Sequence, residues 1–245
     1  MSTTPSYSFP VEFRDVHYIA LLYRGSATIV PHYLKDTGLK PALVVGGKPL
    51  VAVGLIQYKD SDLGAYNEVI IAIPVVPVAS GTGWKNWLDL YASKEKREIG
   101  QYIIQIPVTT QQSVDAGRNI WGYPKTLLPI DHQFEKSKLQ TTISSESQLA
   151  EVCITGSLGI ALPVPGMNLM TYSLLNNQWM KTWVDVNATM KCRPFADIRI
   201  SLKNQTTEIA TCISELGITN QVPFLTLEAT KFKAQFHAPE PYIMQ

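Results

Sequence analysis

Short apolar segments rich in β-branched and aromatic residues recur along this chain, and turn-forming residues separate them. In several of them apolar and polar side chains alternate, as Leu225 and Leu227 do with Thr226 and Glu228. A period of two is typical of a β-strand, in which successive side chains point to opposite faces. The pattern predicts strands at residues 16–24, 48–58, 66–78, 100–108, 138–145, 149–158, 196–204 and 222–236.

Helical spacing is found in few places. It predicts helices within residues 26–37, 83–100 and 207–217. Pro31 would interrupt the first helix, and Gly217 would cap the last one. The middle helix has one face of large side chains, formed by Trp84, Trp87, Leu88 and Tyr91. Many strands, few helices and 16 prolines predict a mainly β protein, closed or sandwiched, with antiparallel strands.

Composition narrows the possible partners. The 245 residues have 45% hydrophobic content and a formal net charge of +1, so no basic field favours nucleic acid or an anionic membrane. The first residues have neither the basic start nor the apolar core of a secretory signal. The 3 cysteines form no C-x-x-C pair. We therefore expect a cytoplasmic protein that binds neither nucleic acid nor membrane.

The common catalytic motifs do not occur in this sequence. It has no phosphate-binding loop, no dinucleotide-binding glycine motif after a strand and no serine nucleophile elbow. The 4 histidines are scattered without the spacing of metal ligands, so we predict no metal site.

One lysine stands out in the segment DAGRNIWGYPKTLLPI, residues 115–130, which otherwise has the character of a buried strand. If residues 121–128 are extended, Lys125 shares a face with Tyr123 and Leu127. Its amine then either reaches water at the end of a covered aliphatic stem or is truly desolvated. Burial disfavours the ammonium form, and a neutral amine attacks carbonyl groups to form a Schiff base.

Three segments resemble the acetoacetate decarboxylase family. GRNIWGYPKTLLPI (117–130) is similar to its G-R-E-x-x-x-Y-P-K-K signature. DLGAYNEVIIAIPV (62–75) is similar to its G-x-Y-x-E segment, which leads into a strand ending in Ile-Pro-Val. VHYIALLYRGSATIVPHYL (16–34) is similar to its strand with Tyr-Arg before a Val-Pro-x-x-Leu turn. Together they cover most of residues 16–130.

This resemblance implies a fold and a chemistry. The fold would be a single domain over residues 1–245, built around a partly closed antiparallel β-barrel with Lys125 inside. Lys125 would form the Schiff base, and Glu68 would be a pocket carboxylate, although a solvent-facing Glu68 at a strand edge is the alternative. No metal or cofactor would be required. The candidate substrate contacts are Tyr66, Arg118, Trp121 and Tyr123, and Arg118 has the alternative of bracing the turn before Lys125.

The chain departs from the family pattern at several positions. Thr126 replaces the second lysine of the signature, and Asn119 replaces its glutamate. An ungapped comparison puts Val16 and Val53 where the decarboxylase has a pocket arginine and a second glutamate. These changes predict a less polar pocket and a substrate bulkier than acetoacetate. Residues 80–101 also exceed the family's usual connection, and would cover the pocket mouth or form a subunit contact.

We therefore expect a cofactor-independent carbon–carbon lyase that decarboxylates a small-molecule keto acid through a lysine Schiff base. An aldolase or dehydratase using the same Schiff base on a keto acid or ketone is one alternative. A non-catalytic barrel that binds a small molecule is another. The aromatic face of the predicted helix at 83–100 exceeds what a peripheral connection needs, which favours a homo-oligomer.

Overall fold

The structure is a computed structural model that describes residues 7–81 and 83–243. Within them lie sixteen strands and four helices. The strands are β1 Val11–Arg24, β2 Leu39–Pro41, β3 Val44–Val45, β4 Lys48–Ser61, β5 Tyr66–Pro77, β6 Gly100–Val108, β7 Lys125–Leu127, β8 Ile130–Phe134, β9 Lys138–Ser144, β10 Ala150–Ser157, β11 Leu162–Val164, β12 Leu169–Leu175, β13 Gln178–Cys192, β14 Asp197–Leu202, β15 Leu225–Phe236 and β16 Glu240–Pro241. The helices are α1 Ile29–Tyr33, α2 Lys85–Asp89, α3 Gln111–Trp121 and α4 Glu208–Glu215. None of these described helices is long and apolar enough to cross a membrane.

The larger sheet curls into a ring. Its strand order is β2-β5-β4-β1-β15-β13-β12-β6-β7, and β5 also pairs with β6. That additional pairing joins the two flanks of the sheet. Neighbouring strands are antiparallel except for two parallel pairs, β12 with β6 and β6 with β7. The predicted mainly β fold is confirmed, and the parallel pairs are a feature that the sequence pattern did not indicate.

The two faces of this sheet have different partners. Alternate residues of β4 illustrate this, since Gly54 and Ile56 line a cavity inside the ring. Val53 and Leu55 belong instead to the hydrophobic core that the ring shares with a second sheet, of order β14-β10-β9-β8, and with α4. Each fully buried side chain of this size contributes about 1.5–3 kcal/mol. The outer core therefore supports the ring, while the inner face remains available for a site.

All eight predicted strands are present, with ends that differ by a few residues. The long hairpin of β12 and β13 was not predicted. Its turn has Asn176 and Asn177 at φ values of 51° and 62°, which are the left-handed conformations that a two-residue hairpin turn requires. Asparagine tolerates this conformation better than other non-glycine residues, so this signal was available in the sequence.

The helix predictions have mixed outcomes. Helix α4 confirms the prediction at 207–217, with Gly217 at φ 66° after its end. Helix α1 includes Pro31 in its first turn, where the missing N–H is tolerated. The long helix predicted at 83–100 is wrong, because only the short α2 forms. Asp89 ends it by accepting hydrogen bonds from the backbone N–H groups of residues 98 and 99.

The assignment of residues 115–121 to a strand is also wrong, because they lie in α3. The Thr110 hydroxyl accepts a hydrogen bond from the N–H of Ser113 at the start of this helix. Gly122 follows its end at φ 67°. The buried side of α3 includes Val114 and Trp121, which are seven residues apart and lie on one helix face. Within residues 115–130, strand β7 covers residues 125–127 and β8 begins at Ile130.

Candidate active site

A cavity of about 430 Å³ occupies the inside of the ring. Aliphatic and aromatic side chains from eight strands form most of its wall. Among the described residues, only Lys125 and Glu68 contribute charged side chains to that wall. The cavity thus has one strongly polar spot in an apolar surrounding, which is the usual character of a small-molecule site.

Local structure carries Lys125 into this cavity. Strand β7 pairs in parallel with β6, and Lys125 lies opposite Ile106. Its aliphatic stem passes over Gly117 of α3, where a Cβ atom would lie only 2.7 Å from Cε of Lys125. That distance is shorter than van der Waals contact, so the absence of a side chain at Gly117 makes room for the lysine. The helix and the short strand after it together position the amine.

The Lys125 amine has two polar partners. Nζ donates to Oε2 of Glu68 at 2.7 Å and to Oγ of Ser113 at 2.8 Å. It also lies 5.3 Å from the ring centroid of Tyr66. Lys125 is only 4% exposed and Glu68 only 2%. The Lys125 amine therefore does not reach water, and Glu68 does not face solvent, as the two alternatives would require.

The other oxygen of the Glu68 carboxylate belongs to a tyrosine pair. Oε1 accepts a hydrogen bond of 3.2 Å from the hydroxyl of Tyr58, whose ring stacks on Tyr66 at 4.4 Å between centroids. Burial, reinforced by the charge of Glu68, raises the pKa of both phenols well above the usual value. Both phenols therefore stay protonated at neutral pH, and Tyr58 is a proton donor in contact with the carboxylate.

Behind Glu68, on the outer side of the ring, lies His132. Its Nε2 donates to the backbone carbonyl of Glu68 at 3.3 Å, and Nδ1 accepts from the Thr141 hydroxyl at 2.8 Å. Burial lowers the pKa of His132 to about 4, so the ring is neutral at pH 7. His132 does not line the cavity. It braces the strand that carries Glu68.

The buried amine and carboxylate form a coupled unit. Burial disfavours both charged forms, whereas each charge stabilises the other across 2.7 Å. When one proton passes from the amine to the carboxylate, both groups become neutral. The pair therefore can present a neutral amine to a carbonyl group without leaving a net charge in the apolar cavity. This arrangement differs from the expectation that burial alone acts on Lys125.

Three of the four predicted substrate contacts line the cavity: Tyr66, Trp121 and Tyr123. The Trp121 indole donates to the backbone carbonyl of His237 at 3.1 Å. The Tyr123 hydroxyl shares a hydrogen bond of 2.7 Å with Thr171. These bonds hold both aromatic rings in fixed positions.

Arg118 does not have the position that a substrate contact would require. It lies on the exposed side of α3 and does not line the cavity. Its Nε donates to the backbone carbonyl of Lys125 at 2.7 Å. This contact matches the bracing alternative of the sequence analysis rather than a substrate contact. The guanidinium reaches the backbone that follows α3 and therefore does not enter the cavity.

Val16 and Val53 do not lie in the pocket, where the comparison with the family had placed them. Both side chains are fully buried, but neither lines the cavity. Irregular pairing between Phe13 and Tyr18 of β1 shifts the alternation, so that Tyr18 faces the cavity. On β4 the cavity is faced by the neighbours of Val53. The apolar character of the wall is real, but these two substitutions do not cause it.

The segment at 80–101 lies at the cavity mouth. Trp87, Leu90 and Tyr91 line the cavity, and Trp84 does not. The segment was expected either to cover the mouth of the pocket or to form a subunit contact, and these three side chains cover the mouth. Trp84 and Leu88 are 69% and 61% exposed. The homo-oligomer stays a prediction, which light scattering at micromolar protein concentration tests.

Sequence reasoning missed Ser113, Tyr58 and Gly117. The first two bond directly to the Lys125–Glu68 pair. Tyr58 ends the predicted strand at 48–58, and alternation alone gave no reason to select it. The other polar groups near the amine are hydroxyls, and within the described residues no three His, Cys, Asp or Glu side chains are grouped as metal ligands. The group of one amine, one carboxylate and hydroxyls suits covalent and proton-transfer chemistry.

The profile of the acetoacetate decarboxylase (ADC) family matches residues 1–178 of the chain. The protein belongs to this family. Solved structures share its fold. The acetoacetate decarboxylase of Legionella pneumophila subsp. pneumophila str. Philadelphia 1 is 15% identical with a TM-score of 0.70, over 99% of this chain and 92% of that chain. No curated protein matches the sequence.

Two other structural relatives have different descriptions. The enduracididine biosynthesis enzyme MppR, complexed with the condensation product of pyruvate and imidazole 4-carboxaldehyde, is 10% identical with a TM-score of 0.68, over 98% of this chain and 91% of that chain. An acetoacetate decarboxylase-like enzyme from Sphingomonas wittichii RW1 is 11% identical with a TM-score of 0.65, over 100% of this chain and 96% of that chain. At these identities the likeness shows the fold alone.

Two departures from the acetoacetate decarboxylase signature can now be placed. Thr126, which replaces the second lysine, does not line the cavity. Asn119, which replaces the glutamate, is exposed on α3. The polar spot of the cavity therefore depends on the residues that the chain retains, Lys125 and Glu68.

Proposed function

We propose that the protein is a cofactor-independent carbon–carbon lyase that forms a Schiff base between Lys125 and a carbonyl compound bulkier than acetoacetate. The observation that carries this proposal is the buried Lys125–Glu68 pair at the only charged place in the described cavity wall. Membership of the acetoacetate decarboxylase family supports it.

The chemistry follows from the contacts of the amine. Proton transfer to Glu68 frees the lone pair of Lys125, which attacks the substrate carbonyl carbon to give a carbinolamine. Loss of water, with protons supplied by Glu68 or the Tyr58 hydroxyl, gives a protonated imine. If the substrate has a carboxylate β to this carbon, the C–C bond breaks and its electron pair enters the imine. CO₂ leaves, and protonation and hydrolysis of the enamine release the ketone and the amine.

The wall of the cavity defines the substrate. A volume of about 430 Å³ exceeds what acetoacetate fills, and the surrounding side chains are apolar. Loss of a charged carboxylate as neutral CO₂ is favoured in such surroundings, although binding that carboxylate is not. We therefore place a longer or aromatic β-keto acid ahead of acetoacetate.

A second candidate is aldol-type cleavage or dehydration through the same Schiff base. A β-keto acid needs a cation to hold its carboxylate, and the described wall has no cation other than Lys125. A substrate for aldol cleavage or dehydration needs no carboxylate beside the imine, so this wall favours it. The structural relative MppR, crystallised with a condensation product of pyruvate, shows that decarboxylation need not be the reaction on this fold.

Borohydride trapping tests the proposal. The protein is incubated with β-keto acids, ketones and pyruvate, reduced with borohydride and mapped by mass spectrometry. We expect a reduced adduct on Lys125. Lys181 is an internal control, since burial lowers its pKa but it does not line the cavity. No adduct on Lys125 with any carbonyl compound would leave the non-catalytic binding barrel as the better description.

A further inference from the structure

A smaller cavity of about 160 Å³ adjoins the mouth of the main one. The two cavities share the side chains of Leu90, Tyr91 and Met167. The remaining wall of the smaller cavity consists of Ala92, Arg97, Gly166, Asn168 and Val186. Unlike in the main cavity, the atoms exposed to this one are mostly polar, although several of its residues are apolar. Among the described residues of its wall, only Arg97 is charged.

Arg97 is a buried cation with incomplete partners. It is 3% exposed, and its guanidinium lies 5.5 Å from the ring centroid of Trp183. Nη1 donates to the backbone carbonyl of Asn168, whereas Nε is buried without any hydrogen-bond acceptor. No carboxylate among the described residues forms an ion pair with it. Asp89 is the nearby acid, but its carboxylate accepts two backbone N–H groups instead.

A buried guanidinium without a counter-ion is unfavourable, and an anion in the adjacent cavity relieves that cost. A carboxylate matches the forked donors of arginine. We propose that Arg97 forms an anion subsite that binds the carboxylate of an amphipathic ligand, whose apolar chain extends into the main cavity. The shared side chains of Leu90, Tyr91 and Met167 are largely apolar. They would contact the first part of the ligand's apolar chain, next to its carboxylate.

This subsite lies far from the amine. Gly100 begins β6 three residues after Arg97, and Ile106 of the same strand pairs with Lys125. Six residues of strand span about 20 Å. A carboxylate on Arg97 is therefore remote from a carbonyl on Lys125 and is not the group that the imine could release. The substrate class, which rests on the proposed Schiff base, is then a long oxo compound that carries an acid group distant from its ketone, in addition to the group released at the imine.

Equilibrium binding tests the subsite without any Schiff base, because dodecanoate has no ketone. Calorimetry compares dodecanoate with dodecanol on the wild type, R97Q, K125M/E68Q and K94Q. We expect the wild type to prefer dodecanoate by about tenfold or more. R97Q should lose this preference. K125M/E68Q, which removes both charges of the main cavity together, should keep it. So should K94Q, which removes an exposed cation of the same segment that pairs with Glu240.

Equal affinity of the wild type for both ligands would overturn the proposal. So would a preference that survives in R97Q, or one that K125M/E68Q abolishes, because the latter places the carboxylate at the amine. Should R97Q not fold, the wild type and K125M/E68Q still decide. Borohydride trapping on Lys125 is a separate measurement, so failure of the anion subsite and failure of the Schiff base are distinguishable.

Discussion

The Lys125–Glu68 pair predicts an unusual stability pattern. Both side chains are almost completely buried, and the amine and carboxylate are 2.7 Å apart. Removing one partner leaves the other charge in an apolar cavity, which costs about 3–5 kcal/mol. Native stability is only about 5–15 kcal/mol, so E68Q or K125M should each lose a large part of it.

The double variant separates pairing from packing. K125M/E68Q contains no charge at this place, so we expect it to be about as stable as the wild type and much more stable than either single variant. Urea unfolding followed by tryptophan fluorescence measures all four proteins. K94Q is the control, since it breaks the exposed pair with Glu240 and should shift the transition little.

The pattern has a clear refutation. If the losses of the two single variants simply add in the double variant, the charges are not coupled. The amine and carboxylate would then be separate polar groups, and the proton exchange that frees the amine for attack would have no basis.

Two further predictions concern positioning and pH. G117A should lower the yield of the reduced Lys125 adduct about a hundredfold, because the new methyl displaces the lysine stem, whereas G81A, with open space around it, should not. Quantitative mass spectrometry measures both, and an unchanged G117A yield would contradict the packing argument. Burial lowers the pKa of His132 in the folded protein from 6.5 to about 4. Between these values the unfolded protein binds more protons, so the stability that is fully present above pH 6.5 is lost as the pH falls towards 4. The loss amounts to about 3 kcal/mol. Urea unfolding of H132N should therefore show a weaker pH dependence than that of the wild type, whereas H32N, which replaces an exposed histidine, should not. Equal slopes of stability against pH for H132N and the wild type would refute the assignment.

The sequence by itself determined the strands and the family. Alternation of apolar and polar residues is a property of neighbouring positions, so the eight strands could be predicted without knowing their partners. The Y-P-K segment and the Y-x-E segment identified Lys125 and Glu68 through the resemblance. Gly217 marked a helix end, since its left-handed conformation is a local requirement.

Only the tertiary structure decided which residues meet. Alternation gives the faces of a strand relative to each other, but ring closure and the irregular pairing of β1 decide which face lies inside. For this reason Val16 and Val53 were misplaced and Tyr18 was overlooked. Arg118 was a candidate substrate contact through the resemblance, and only the structure shows that its guanidinium bonds to the backbone of Lys125 outside the cavity wall.

The surroundings of the buried cations Lys125 and Arg97 also required the fold. Glu68 and Lys125 are 57 residues apart in sequence, and Ser113 reaches the amine only because α3 packs against β7. Arg97 lies in the charged run KEKRE at residues 94–98, a pattern typical of a solvent-exposed face. The backbone turn held by Asp89 buries it instead, since a few long-range hydrogen bonds outweigh the helical preference of a short segment.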